Sequence, residues 1–79
     1  MAGVAELENC FVDTFALEPD TDPRSLRFQS ILEWDSVGHM QLIAAIETAF
    51  DVMLETQEVL DLISFDKAVE ILKRHGADV

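Results

Sequence analysis

The sequence is 79 residues long, 49% hydrophobic and strongly acidic, with 16 Asp and Glu side chains against five Lys and Arg and a formal charge of −11. So short a chain supports one domain and one core, since a fold of this size buries only about 60% of its unfolded surface, and its apolar content argues against disorder. The charge opposes binding to nucleic-acid phosphates or anionic lipid, and it either favours a partner that is basic where it docks or simply keeps a small protein in solution.

Cys10 is the single cysteine, which excludes an internal disulfide framework or a multi-cysteine metal site and fits a reducing compartment. No charged-then-apolar signal opens the sequence, and no apolar run approaches the ~20 residues of a membrane span. The expectation is a soluble, cytoplasmic protein.

In residues 4–17 the apolar side chains Val4, Leu7, Phe11 and Phe15 recur at three- and four-residue steps, with Glu6, Glu8 and Asp13 between them. That spacing predicts a first amphipathic helix. It should stop before Glu18, Pro19, Asp20, Thr21, Asp22 and Pro23, where prolines and acids oppose helix and promote turns. A long loop follows, to about residue 35. Leu26, Phe28, Ile31, Leu32 and Trp34 can hold it against the helices, so it is read as ordered. Loops of this length in compact domains are usually functional.

Asp35 and Ser36 are both good N-cap residues, so a second helix is predicted from residue 36 to 50 or 51, with Ser36 at its start. At ~100° per residue, Leu42, Ile46, Ala49, Phe50 and Met53 share the face expected to meet the core. Val37, Met40 and Ala44 fall on nearly the opposite face, beside Glu47 and Asp51. That second stripe is either a docking surface or one side of a centrally buried helix. Thr56 is expected to cap a short third helix through residue 62, with Val59, Leu60 and Ile63 facing inward. Ser64 should cap a fourth, with Phe65, Ala68, Val69 and Leu72 as its stripe. There Asp66 lies near the positive end, and Lys73, Arg74 and His75 lie near the negative end before Gly76. The expected fold is all-α: three longer helices and one short, with a long ordered loop between the first two.

Ser36 and His39 are the one nucleophile and base adjacent in sequence. Activating a serine also takes an orienting group, oxyanion donors and a site that excludes water, which so small a domain does not offer. His39 reads as a boundary residue, His75 as a helix-terminal cation and Cys10 as a small buried apolar group. Glu18, Asp20 and Asp22 alternate as calcium ligands would. Counting from Asp20, however, the position that needs glycine is Ser25 and the one that needs a bidentate glutamate is Ile31, so no metal site is expected. An exposed Ser36 either caps its helix or carries a modification. A phosphodiester attached there would lie near unpaired backbone N–H groups and the positive end of the helix dipole.

The run Glu33-Trp34-Asp35-Ser36-Val37-Gly38-His39-Met40-Gln41-Leu42-Ile43 resembles the attachment motif of acyl and peptidyl carrier proteins. The resemblance extends over nearly the whole chain, since the order of helices and loop agrees with that family's four-helix bundle. It implies a non-enzymatic carrier in which Ser36 takes 4′-phosphopantetheine from coenzyme A, with Asp35 as its motif partner. It also implies that helix two is the recognition element, through Val37, Met40, Ala44, Glu47 and Asp51. The implied partners of this monomer are a phosphopantetheinyl transferase, an acyl- or aminoacyl-loading enzyme, and later biosynthetic enzymes with basic docking surfaces. Val37 stands where the family usually has leucine. Gly38, His39 and Gln41 stand where carriers of primary fatty acid synthesis are more acidic, which points toward specialised polyketide, aminoacyl or sugar-modifying pathways. The alternative is a helical interaction module that is never pantetheinylated.

Overall fold

The spacing of Leu7, Phe11 and Phe15 builds the first helix, α1 (Val4–Phe15), in a computed structural model that describes residues 3–79. It ends two residues earlier than its pattern predicts. Ala16 turns into the left-handed region at φ 50°, which closes the helix and folds Leu17 back against the core. The loop that follows is ordered and contains a 3₁₀ turn (Pro23–Ser25). Asp22 starts this turn by accepting from the Arg24 N–H, and Pro23 needs no donor there.

The remaining helices are α2 (Ser36–Phe50), α3 (Thr56–Asp61) and α4 (Phe65–Arg74), so the fold is all-α, with no strand among the described residues. A lone bridge between Arg27 and Ser64 ties the loop to the α3–α4 junction, with the Phe28 N–H donating to the Ile63 carbonyl over 2.8 Å. None of these helices is long and apolar enough to cross a membrane.

The core is aromatic at its centre. Trp34, Phe11, Phe65, Leu7, Leu42, Ile46, Leu62, Ile71 and Leu72 are fully buried, each worth roughly 1.5–3 kcal/mol of transfer free energy. Trp34 lies 5.4 Å from both Phe11 and Phe15, centroid to centroid. Together with buried Leu26 it anchors the long loop. Leu32 does not help, being 93% exposed, because residues 29–34 close on themselves through the Gln29 N–H to the Trp34 carbonyl and leave the tip outside.

The predicted core face of α2 holds for Leu42 and Ile46, with Ala49 and Phe50 partly buried, but fails at Met53. Asp51 ends the helix in the left-handed region at φ 53°, so helical periodicity no longer applies at Met53, which is exposed, and Leu54 is buried instead. In α3 the cap is Glu55 rather than Thr56, and the helix stops at Asp61. Leu62 therefore fills the core and Val59 is partly buried, while Leu60 and Ile63 face outward, against expectation. In α4 Ser64 caps as predicted, its hydroxyl accepting from the Lys67 N–H; Phe65, Ala68 and Leu72 are buried and Ile71 joins them.

Candidate functional site

Asp35 caps α2: its Oδ1 accepts from the Gly38 N–H over 2.8 Å, and its carbonyl accepts from the His39 N–H. The cap is therefore Asp35 and not Ser36. Ser36 is the first helical residue, exposed, and its hydroxyl makes no hydrogen bond among the described residues. It lies in the first turn, where the Gly38 N–H is taken by Asp35 but the Ser36 and Val37 N–H groups have no intrahelical partner and the dipole is positive, which favours an anionic phosphodiester on its oxygen against the neighbouring Asp35 charge. The residues present thus fit a phosphodiester-linked group.

Two neighbours fix the position of this helix start. Gly38 passes so close to the preceding loop that a Cβ on it would collide with the Glu33 carbonyl and press on the Phe15 ring. Only glycine permits that approach. On the next turn His39 is half-buried, with Nδ1 accepting from the Trp34 indole N–H over 2.9 Å and Nε2 bonded to the Val59 carbonyl over 2.7 Å. An indole nitrogen only donates, so Nδ1 is the acceptor and the proton sits on Nε2, which donates to Val59. Both ring nitrogens are engaged within the fold, and neither is left to take a proton from Ser36.

The five residues expected to form a docking face differ in exposure. Val37 is 67% and Met40 55% exposed, Ala44 is exposed on the next turn, and Asp51 is exposed at the C-terminal end of α2. Glu47 is partly buried, with Oε2 accepting from the Leu54 N–H over 2.9 Å, so this carboxylate also holds the turn into α3. Ala44 borders a depression between α1 and α2, about 470 Å³, lined also by Ala45, Ala49, Glu6 and Asp13.

The sequence reading missed the tasks of Gly38 and His39. A glycine three positions after a cap is a legible signal of close approach. The bond from Trp34 to His39 is not legible, because it depends on how the loop returns to the helix.

Cys10 and the His75–Glu58 pair lie outside this helix start. Burial, then Glu6 and Asp13, pushes the Cys10 thiol up to about 11. Between α4 and α3, His75 is bonded to both carboxylate oxygens of Glu58, at 2.9 and 3.0 Å.

No protein-family model matches the chain, and no solved structure matches it.

Proposed function

We propose that this protein is an acyl carrier in which Ser36 bears a 4′-phosphopantetheine arm. The observation that carries the reading is the Ser36 hydroxyl itself, exposed on the first residue of α2 and relieved of capping by Asp35, inside the Trp-Asp-Ser-Val-Gly-His run. In the attachment step the Ser36 oxygen forms a bond to the phosphorus that bears pantetheine in coenzyme A. The pyrophosphate bond breaks, adenosine bisphosphate leaves, and the serine proton passes to a base of the transferase. Magnesium belongs to the transferase. The arm supplies a terminal thiol that holds an acyl or aminoacyl group as a thioester.

The chain's own residues hold and present. Asp35 caps the helix, so the Ser36 hydroxyl stays available. Gly38 lets the loop seat behind it, and Trp34 with His39 keeps the loop from moving away. Val37, Met40 and Ala44 offer an apolar patch, with the Asp51 carboxylate further along at the end of α2, suited to enzymes that meet it with apolar and basic side chains. Such encounters are weak and salt-sensitive, because exposed charge pairs are screened. Gly38 and His39 answer to packing, so the reading toward a specialised rather than a primary fatty acid pathway rests on Gln41 and on the thin acidity of this patch.

The deciding experiment is intact mass after incubation with coenzyme A and a promiscuous phosphopantetheinyl transferase. The wild type is expected to gain one phosphopantetheine and Ser36→Ala none. An unmodified wild type would overturn the carrier reading and favour a helical interaction module using the same Val37 and Met40 patch. A gain that persists in Ser36→Ala would move the attachment site.

A further inference from the structure

Two depressions meet at Phe28 and Ile63. One, about 130 Å³, is lined by Phe28, His39, Leu60 and Ile63; the other, about 290 Å³, by Arg27, Phe28, Ile63 and Ser64. Since they share two lining residues, we take them together as one trough between α2 and the α3–α4 junction. This trough accounts for the two side chains of the α3 region that were expected inside and lie outside, Leu60 at 65% and Ile63 at 50% exposed.

Ser36 does not line it but is one helical turn from His39, which does. Residues three apart on a helix are neighbours, with Cβ atoms about 5–6 Å apart, so Ser36 lies one turn above His39. His39 is directed at α3 by its bond to the Val59 carbonyl. A chain leaving Ser36 on that side therefore meets the Phe28 and Leu60 walls first.

The end at the α3–α4 junction carries a positive charge with no partner. Arg24 pairs with Glu8, and Lys67 and Arg74 pair with Glu70; Arg27 and Lys73 are in no ion pair among the described residues, and of these two only Arg27 lines the trough. Beside it the Ser64 hydroxyl accepts from the Lys67 N–H, which leaves its own proton to donate. An apolar trough that ends in an unpaired guanidinium and a hydroxyl donor is complementary to an aliphatic chain with an anionic end, since guanidinium binds carboxylate through charge-assisted bonds. The larger depression between α1 and α2 offers the opposite, with Glu6 and Asp13 at its walls.

We propose that this trough receives the distal end of the group tethered through Ser36 and that Arg27 makes it selective for acyl groups ending in a carboxylate. The inference rests on the carrier reading for the tether's identity, and its test does not need the transferase. In Ser36→Cys the new thiolate displaces methanesulfinate from decyl methanethiosulfonate or from its ω-carboxy counterpart, giving two proteins that differ only at the chain end. Cys10 is buried and its thiol stays protonated, so labelling is confined to the exposed site.

The carboxylate-ended chain is expected to raise the thermal midpoint by roughly 1–5 °C over the methyl-ended chain, and to shift the backbone resonances of Arg27 and Ser64. Arg27→Gln removes that difference, and Arg27→Lys keeps part of it. Salt near 1 M shrinks it, because a charge pair at an exposed groove end is screened. Equal midpoints for the two chains, or a difference that persists in Arg27→Gln, would overturn the inference. The mass gain with coenzyme A decides the carrier reading separately: modified protein without a carboxylate preference sinks the trough's selectivity alone, and a preference in a protein that is never modified sinks the carrier alone.

Discussion

The indole N–H of Trp34 donates to Nδ1 of His39 over 2.9 Å, and through the opposite ring nitrogen His39 reaches the Val59 carbonyl. One side chain thus joins the long loop, α2 and α3. Phe28 meets the His39 ring edge-on at 5.4 Å, which closes the apolar surround of the pair. His39→Ala strands a fully buried indole N–H, and leaving a buried donor unsatisfied costs about 1–3 kcal/mol. Urea unfolding should show that loss. Trp34→Phe removes the donor but also part of the core, so a double-mutant cycle between the two positions is expected to give a coupling of ~0.5–3 kcal/mol. A coupling of zero would mean that the bond contributes nothing to stability.

Gly38→Ala sets two effects against each other. Alanine favours a helix interior by up to ~1 kcal/mol over glycine. The clash with the Glu33 carbonyl is with backbone, which cannot rotate away, and overpacking of that kind costs about 1–3 kcal/mol. The net expectation is destabilisation by about 1–2 kcal/mol. Because the strain falls on the segment entering Ser36, transferase modification should slow as well. A more stable Gly38→Ala protein, read from its thermal midpoint, would contradict the close approach.

Helix existence was legible throughout, because the apolar steps of α1 and α4 and the caps at Asp35 and Ser64 are local signals. The errors cluster where a cap or a turn resets the phase. Met53 and Leu60 lie outside because helical periodicity does not continue across the left-handed Asp51, and because Glu55 rather than Thr56 caps α3. Ser36 was legible as exposed, whereas its release from capping was not, since Asp35 and Ser36 are equally good caps on sequence grounds. The trough was illegible for a different reason: it joins Arg27, His39 and Ile63, which no periodicity relates.

Glu58 links stability to pH at the acid end. The Glu55 N–H, followed by His75, holds its carboxyl below its ordinary value of 4.5. A depressed folded value means that the ionised form is favoured by folding. Its contribution is therefore complete above the ordinary value and fades as pH falls through the lower folded one. Glu58→Gln should lower stability near neutral pH and flatten the acid limb of the midpoint–pH curve. The same slope below pH 4.5 in both proteins would remove Glu58 from the account.

Cys10 behaves oppositely. Its thiol is buried and raised from 9.0 to about 11, so folding favours the protonated form. That contribution is complete below pH 9.0 and is lost as pH rises toward 11. Reaction with a thiol reagent at neutral pH should be slow in the folded protein and fast in denaturant, since the thiolate is the nucleophile. Rapid labelling of the native wild type would show that α1 opens there.

Val37 and Met40 are large apolar side chains on an exposed helix face with no internal task, so their replacement isolates docking from folding. Surface changes of this kind alter stability by about ±0.5 kcal/mol, whereas loss of an apolar anchor at the centre of an interface costs about 2 kcal/mol or more. Met40→Asp is expected to leave the thermal midpoint nearly unchanged and to lower kcat/KM for transferase modification of Ser36 by at least about tenfold. The extra negative charge alone would not act that way, because Met40→Asp adds to an acidic face that a basic partner should welcome. A charge-only mechanism predicts equal or faster modification, and an apolar anchor predicts loss. Met40→Leu, which keeps the apolar volume, should retain most of the rate, and failure of that rescue would place the docking surface on another face of the bundle.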